Sequence, residues 1–418
     1  MGGDFAYEAW QIEGFYYDYC MNRLRHIFQW ELRSQEAKAI VLFVLGWLLA
    51  RLSKREPDLW LFAERGTDAR DNGWWMFRYV MEQHPEVNAH FVISPDSEDY
   101  QRLERWSDRL IPYNSLRHYI WIWKASRAIS THVSGYLPYY IREVPAFRRL
   151  YHRWSPRTRL IWIQHGVIMN NMKQFHFDRT YLDLLICGAK PEYDFIARTF
   201  GFPQGVVRYT GLARHDGLHQ VSVNHKQILL MPTWRQWLLK RADFMQSDYR
   251  RIYTVLLTDP RLHAMLQTQG CTLIFYPHYE VQPYIEVFQE LPLPGCVQIA
   301  DKIHYDVQSL LKESALLITD YSSVGMDFAY MRKPIIYFQF DESTFFEGHY
   351  TTGYYDYHEG LGDWCSEIDQ LLELIQLRLA AGLQMPACFR KRADAFFPLY
   401  DQQNCRRNYE AILETTYL

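Results

Sequence analysis

The chain has 418 residues, 48% of them apolar and 17% aromatic, with a formal net charge of −3 and 7 cysteines. That is long enough for two or three domains with packed cores, and the composition is not that of a disordered chain. The slight acidity argues against a nucleic-acid-binding surface, and dispersed cysteines in odd number, none in CxxC, fit a reduced cytoplasmic setting.

Residues 1–57 read as a helical N-terminal segment without a signal-peptide pattern. Within it, residues 39–50 (AIVLFVLGWLLA) are continuously apolar and closed by Lys38 on one side and Arg51, Lys54 and Arg55 on the other. A bilayer-spanning helix needs about 20 such residues. Two readings stand: a buried core helix, or an interfacial helix with basic ends. Strand-like runs then recur at Leu59–Ala63, Ala89–Ser94, Arg127–Thr131, Leu160–Gln164, Leu182–Cys187 and Val206–Thr210, with helical intervals such as Pro191–Phe200. This alternation predicts a parallel sheet with helices on both faces. Between two of these strands, residues 141–159 interleave six arginines with Phe147, Tyr151 and Trp154. Such a segment suits anionic lipid headgroups, or is a solvated helix face; the acidic balance of the chain argues against single-stranded nucleic acid.

The polar stretch 219–226 is the best domain boundary. A second strand series follows at Ile228–Met231, Thr272–Tyr276, Val297–Ala300, Leu316–Thr319 and Ile335–Phe340. Beyond it, Ile368, Leu371, Leu372, Ile375 and Leu379 recur at helical spacing and predict a packed helix. The division expected is a helical segment over 1–57, one α/β domain over 58–218, a second over 219–370, and C-terminal helices over 371–418.

The polar clusters fall just after strands. His165-Gly166 follows the fourth strand, Pro232-Thr233-Trp234-Arg235 opens the second series, Pro277-His278-Tyr279-Glu280 follows its next strand, and Asp320-Tyr321-Ser322-Ser323 follows Leu316–Thr319. Ligands of open parallel sheets bind at the carboxyl ends of strands, and four coincidences across two domains predict one interdomain cleft. A neutral His165 there removes a proton from a hydroxyl or, alternatively, caps a strand end. Thr233 and Arg235 match phosphate oxygens, or form a surface turn. His278 reads as a donor to a phosphate or base. His278 and Glu280 lack a nearby third ligand, and no acidic pair of the DxD kind stands out, so no metal or cofactor is required. Ser322 and Ser323 stand where a helix begins and suit phosphate, or cap that helix. Asp327 is one helical turn from Ser323 and needs a partner. Asp320, repelled by phosphate, shapes the turn. Arg214 and Asp216 at the domain junction orient a ligand or pair with each other.

Taken in order, His165-Gly166, the run from Thr210 through Arg214 to Asp216, Pro232 to Arg235, Pro277-His278, and Asp320 through Asp327 to Lys333-Pro334 and Asp341 resemble the CDP-glycerol glycerophosphotransferases of teichoic-acid and capsule synthesis. Glu64 to Asn72 is similar to that family's first strand-to-helix loop. The resemblance covers about residues 58–360. It implies a GT-B architecture, in which two Rossmann-like domains face each other across a cleft, and a CDP-glycerol or related CDP-alditol donor held by the second domain. It implies a lipid-linked or glycan acceptor, and peripheral attachment to the inner, anionic membrane face. It also implies that His165 and His278 are catalytic, that Thr233, Arg235, Ser322 and Ser323 meet the donor phosphates, and that Asp71, Asn72 and Gly166 lie on the acceptor side. Asp327, Arg214 and Asp216 join the expected donor set. Two departures stand out, Ala213 where the family has Pro and Tyr279 where it has the Pro of His-Pro, and both bear on donor identity. Alternatives with the same fold are a CDP-ribitol-dependent enzyme and a UDP-sugar glycosyltransferase; a non-catalytic membrane or glycan-binding module is the alternative of another class.

Overall fold

The computed structural model describes residues 34–54, 57–155, 157–219, 222–238, 240–348 and 352–415. The helical reading of residues 1–33 lies outside the described residues. The chain divides into two compact units, 1–160 and 161–418.

In the first unit, strands β1 (Trp60–Ala63), β2 (Ala89–Ile93), β3 (Leu110–Pro112) and β4 (Arg127–Ser130) are parallel, in the order β3-β2-β1-β4. β3 escaped the sequence reading, its Leu-Ile-Pro run being cut short by a proline. Residues 34–52 form a helix. One face of its apolar run is buried and the other exposed. Ala39 and Phe43 are buried, with Phe43 against Trp123 and Phe147 at ring distances of 4.7 and 5.9 Å. Val41, Val44, Leu45, Leu48 and Leu52 are exposed. Among the described residues no helix is long and apolar enough to cross a membrane.

The boundary of the second unit falls within β5 (Arg159–Trp162), which pairs in parallel with β6 (Leu184–Cys187), itself parallel to β7 (Val207–Tyr209). Six further parallel strands follow: β8 (Asn224–Leu230), β9 (Thr272–Phe275), β10 (Val297–Ile299), β11 (Ser314–Thr319), β12 (Ile335–Phe338) and β13 (Asp363–Cys365). They form one sheet in the order β10-β9-β8-β11-β12-β13. The central strands read as unbroken apolar runs because both faces are covered. Leu229, Ile274, Leu317, Ile335 and Tyr337 pack on one side, and Ile228, Leu230, Leu273, Phe275, Leu316, Ile318, Ile336 and Phe338 on the other. The predicted C-terminal stripe is the helix Ile368–Ala380, which buries Leu371, Leu372 and Ile375. The expected α/β class, with two parallel sheets of the GT-B type, is the one observed.

Lys333, between β11 and β12, is buried, and its ammonium donates to the carbonyls of Leu311, Lys312 and Ser314 at 2.6, 2.9 and 2.7 Å. These carbonyls lie at the C-terminal end of helix Val307–Glu313, where helix geometry leaves carbonyls without intrahelical donors. Lys333→Met fills the space but strands them, so it should lower unfolding free energy by about 1–3 kcal/mol; urea denaturation with an unchanged value would reject this role.

Candidate functional site

Strands β9, β8 and β11 are neighbours in one sheet and all run the same way. Their carboxyl ends therefore place the loops of His278, Thr233 and Ser322 side by side, as the strand-end argument requires. The ring of Trp234 lies nearly parallel to that of His278, 20° between planes and 6.1 Å between centroids. The Tyr279 ring is 4.6 Å from His278 on a tilted plane. The Nδ1 atom of His278 accepts the Glu280 amide N–H at 3.3 Å. That bond leaves the ring proton on Nε2, so His278 is a hydrogen-bond donor at its outer edge.

The loop after β5 is brought to the same place. Gln164 takes a left-handed backbone, φ 56°, and donates through its side chain to the Ile186 carbonyl at 2.6 Å. His165 follows with its side chain exposed. Its carbonyl accepts from Arg214 at 2.7 Å, and the other arm of that guanidinium reaches both oxygens of Asp327 at 3.0 and 2.9 Å. Gly166 lies so close to Ser323 that a Cβ would stand 2.9 Å from the Ser323 hydroxyl. A side chain at 166 would require the Ser323 hydroxyl to move. His165-Gly166 is thus held against Ser322-Ser323 by side chains of the same unit.

The buried charges are engaged by groups of the protein itself, Asp320 in the turn-shaping role expected of it. Arg235 is 1% exposed. Its guanidinium donates to Asp341 at 2.7 and 3.0 Å, to Asp320 at 2.9 Å and to the Thr233 carbonyl at 2.9 Å. Burial works against its charge, but the two carboxylates more than offset this and raise its pKa. Arg235, expected at the donor phosphate, is engaged here by Asp320, Asp341 and the Thr233 carbonyl. Asp320 accepts the amides of Thr233 and Tyr321 at 2.8 and 2.6 Å. It thereby ties the β8 and β11 loops together. Asp327 is likewise spent on Arg214 and on His215, whose Nε2 is 2.9 Å away. Burial alone would raise the Asp327 carboxyl; Arg214 and His215 hold it below the ordinary value. Asp216 accepts the amides of Asn404 and Cys405 and the Asn404 side chain, at 2.8–2.9 Å. It caps helix Asn404–Glu414 instead of facing a ligand. Gly211, φ 83°, lies under Asn404, where a side chain would collide.

Thr233 is engaged through its backbone, and Ser322 and Ser323 are half-buried at the start of helix Val324–Tyr330. That helix has seven residues, so what it offers is two hydroxyls and first-turn amides, with only a small macrodipole. Asp71 and Asn72 lie in the first unit. Asp71 accepts the Asn72 amide at 2.7 Å and caps helix Asn72–Gln83, and Asn72 is buried. Their loop is shaped by Glu64, a buried carboxylate that accepts the amides of Arg70, Asp71 and Trp74 at 3.2, 2.8 and 3.0 Å. Burial, with Asp71 close by, pushes Glu64 up to about 8. Sequence reasoning missed Glu192, which does the same for the His165 loop. The signal was present: Pro191 and Glu192 in the first turn of helix Lys190–Thr199 form a helix-start pattern.

Two parallel sheets with polar strand-end loops define an α/β protein of the GT-B type. The family model described as CDP-Glycerol:Poly(glycerophosphate) glycerophosphotransferase matches residues 47–414, and the chain belongs to that family. It is 33% identical over 377 residues to the minor teichoic acid biosynthesis protein GgaB of Bacillus subtilis (strain 168), covering 86% of this chain and 40% of that protein. It is 24% identical over 368 residues to the teichoic acid poly(glycerol phosphate) polymerase of the same strain, covering 82% and 46%. The chain thus spans less than half the length of these two curated relatives. The solved structure of the wall teichoic acid polymerase TagF shares the fold, with a TM-score of 0.65 at 16% identity over 93% of this chain and 97% of that one.

If Arg235 is a buried tie, Arg235→Met should cost about 3–5 kcal/mol of stability by leaving Asp320 uncompensated. A variant of unchanged stability with a raised donor KM would restore the phosphate role. For Asp327, whose folded pKa is depressed, the stabilisation is present in full above the unfolded value of about 4 and is lost as pH falls through the folded value. Asp327→Asn should therefore lose stability at pH 7 and show a flatter acid limb; parallel acid limbs in denaturation would reject the pairing.

Proposed function

We propose that the chain transfers glycerol phosphate from CDP-glycerol to a hydroxyl of a lipid-linked or glycan acceptor, in teichoic-acid-like polymer synthesis. The observation that supports this reading is the approach to Ser323 of Gly166, the residue next in the chain to the exposed His165. Membership of the glycerophosphotransferase family supports the donor and the chemistry.

In this reading residues 219–370 hold the donor and residues 58–218 present the acceptor. The acceptor oxygen attacks the glycerol-bearing phosphorus, its proton passes to His165, and the bond to the bridging oxygen breaks as CMP leaves. The Nε2–H of His278 and the hydroxyls of Ser322, Ser323 and Thr233 donate to the phosphate oxygens, where negative charge builds. The neutral donors are matched to a dianionic pyrophosphate whose charge is redistributed, not created. Asp71 and Asn72 enter the reading through the resemblance of their loop.

The protein works as a peripheral enzyme on the inner, anionic face of a membrane. Supporting this, the first unit exposes Val41, Val44, Leu45, Leu48 and Leu52 along one helix flanked by Lys38, Arg51 and Lys54. Trp47 of that helix packs on Trp154 at 5.3 Å, and the neighbouring helix Pro145–Trp154 exposes Arg149 and Arg153. Apolar side chains with basic flanks suit the boundary between headgroups and acyl chains.

His165→Ala should lower kcat for CMP release by about 10²–10⁴-fold with the fold intact by circular dichroism; near-normal turnover would reject the base, and release of UDP from a UDP-sugar in place of CMP would reject the donor. Sedimentation with vesicles should require anionic lipid and be lost in a Leu48→Glu, Leu52→Glu double variant; binding indifferent to both would reject the membrane surface.

A further inference from the structure

Glu192 is fully buried in the first turn of helix Lys190–Thr199. One carboxylate oxygen accepts the Ile168 amide at 2.6 Å; the other accepts the amides of Gly188 and Ala189 at 2.7 and 3.3 Å. These donors belong to two strand-end loops, the one after β5 that carries His165 and the one after β6. The His165 backbone is thereby fixed on both sides. Gln164 is anchored before it, its own carbonyl is held by Arg214, and Ile168 is anchored after it.

We propose that Glu192 is a positioning residue for His165: by gathering the Ile168 amide to those of Gly188 and Ala189, it sets the direction in which the imidazole leaves the end of β5. The inference rests on the reading of His165 as the base. The ionised form is required. A protonated carboxyl would turn an O–H toward backbone N–H groups, and one of the two loops would lose its acceptor.

Burial pushes Glu192 up to about 7, against the backbone amides that favour its charge. The groups facing it are the Gln164 amide, the Cys187 thiol on β6, Tyr209 on β7 and Tyr354. Burial pushes Tyr209 up to about 12 and raises Cys187 and Tyr354 well above their usual values. All stay neutral near pH 7, so Glu192 is the group in this cluster that titrates there. Turnover then requires two proton losses on the acid side, one from His165 and one from Glu192.

The test measures CMP release from CDP-glycerol by the full chain between about pH 5 and 9, with a poly(glycerol phosphate) primer as acceptor. Wild type, Glu192→Gln and His165→Ala are compared. Glu192→Gln should lower kcat about 10- to 100-fold, the cost of a misplaced base, with KM for CDP-glycerol within about twofold. The acid limb of log kcat should have a slope of about two in wild type and about one in the variant. A variant with wild-type kcat and slope, while His165→Ala is inactive, overturns the positioning role alone. An active His165→Ala overturns the base and this role together. Should Glu192→Gln fail to fold, the wild-type limb decides: a slope of one overturns the inference.

Discussion

A carboxylate buried at the end of a parallel strand, accepting backbone N–H groups from the loops beside it, is the interaction on which the site's geometry depends. Glu64 does this after β1, Glu192 after β5 and β6, and Asp320 between β8 and β11. Strand-end loops carry amides that no sheet partner satisfies, and an unpaired buried amide is costly. One carboxyl side chain, with two acceptor oxygens, can take two or three of them. The loop conformation is then set by a rigid point inside the protein, with no flexible surface contact involved.

The same logic accounts for the buried charges. Arg235 joins Asp320 to Asp341, and Arg214 joins the His165 carbonyl to Asp327. A buried charge must be paired, and a paired charge has little left for a ligand. What faces outward is a set of modest hydrogen-bonding groups: His165, His278, Thr233 and the two serines.

Much of the fold was legible along the chain. Eleven strands showed as apolar stretches, and the helix after Pro191 and the stripe from Ile368 showed by periodicity, because sheet and helix burial impose local repeats. Strands β3 (Leu110–Pro112) and β13 (Asp363–Cys365) did not, their three residues carrying a proline or an aspartate in place of a clean apolar run. In the site, the placement of His165, Thr233, His278 and Ser322 at strand ends was legible, since it follows from element order. The work assigned to the charged residues was not. Arg235 and Asp320 are 85 positions apart, and Arg214 and Asp327 are 113 apart. No local spacing says that such residues meet.

The sequence by itself determined the alternating β/α order, the apolar faces and which polar residues stand just beyond a strand, all consequences of short-range periodicity and of the rule that parallel strands end together. Tertiary structure alone decided who partners whom: that Arg235 and Asp327 turn inward, that Asp216 caps helix Asn404–Glu414, that Gly166 lies against Ser323, and that the helix over 34–52 buries one apolar face and exposes the other. The physical reason is that burial fixes the cost of a charge, and burial is a property of the packed chain.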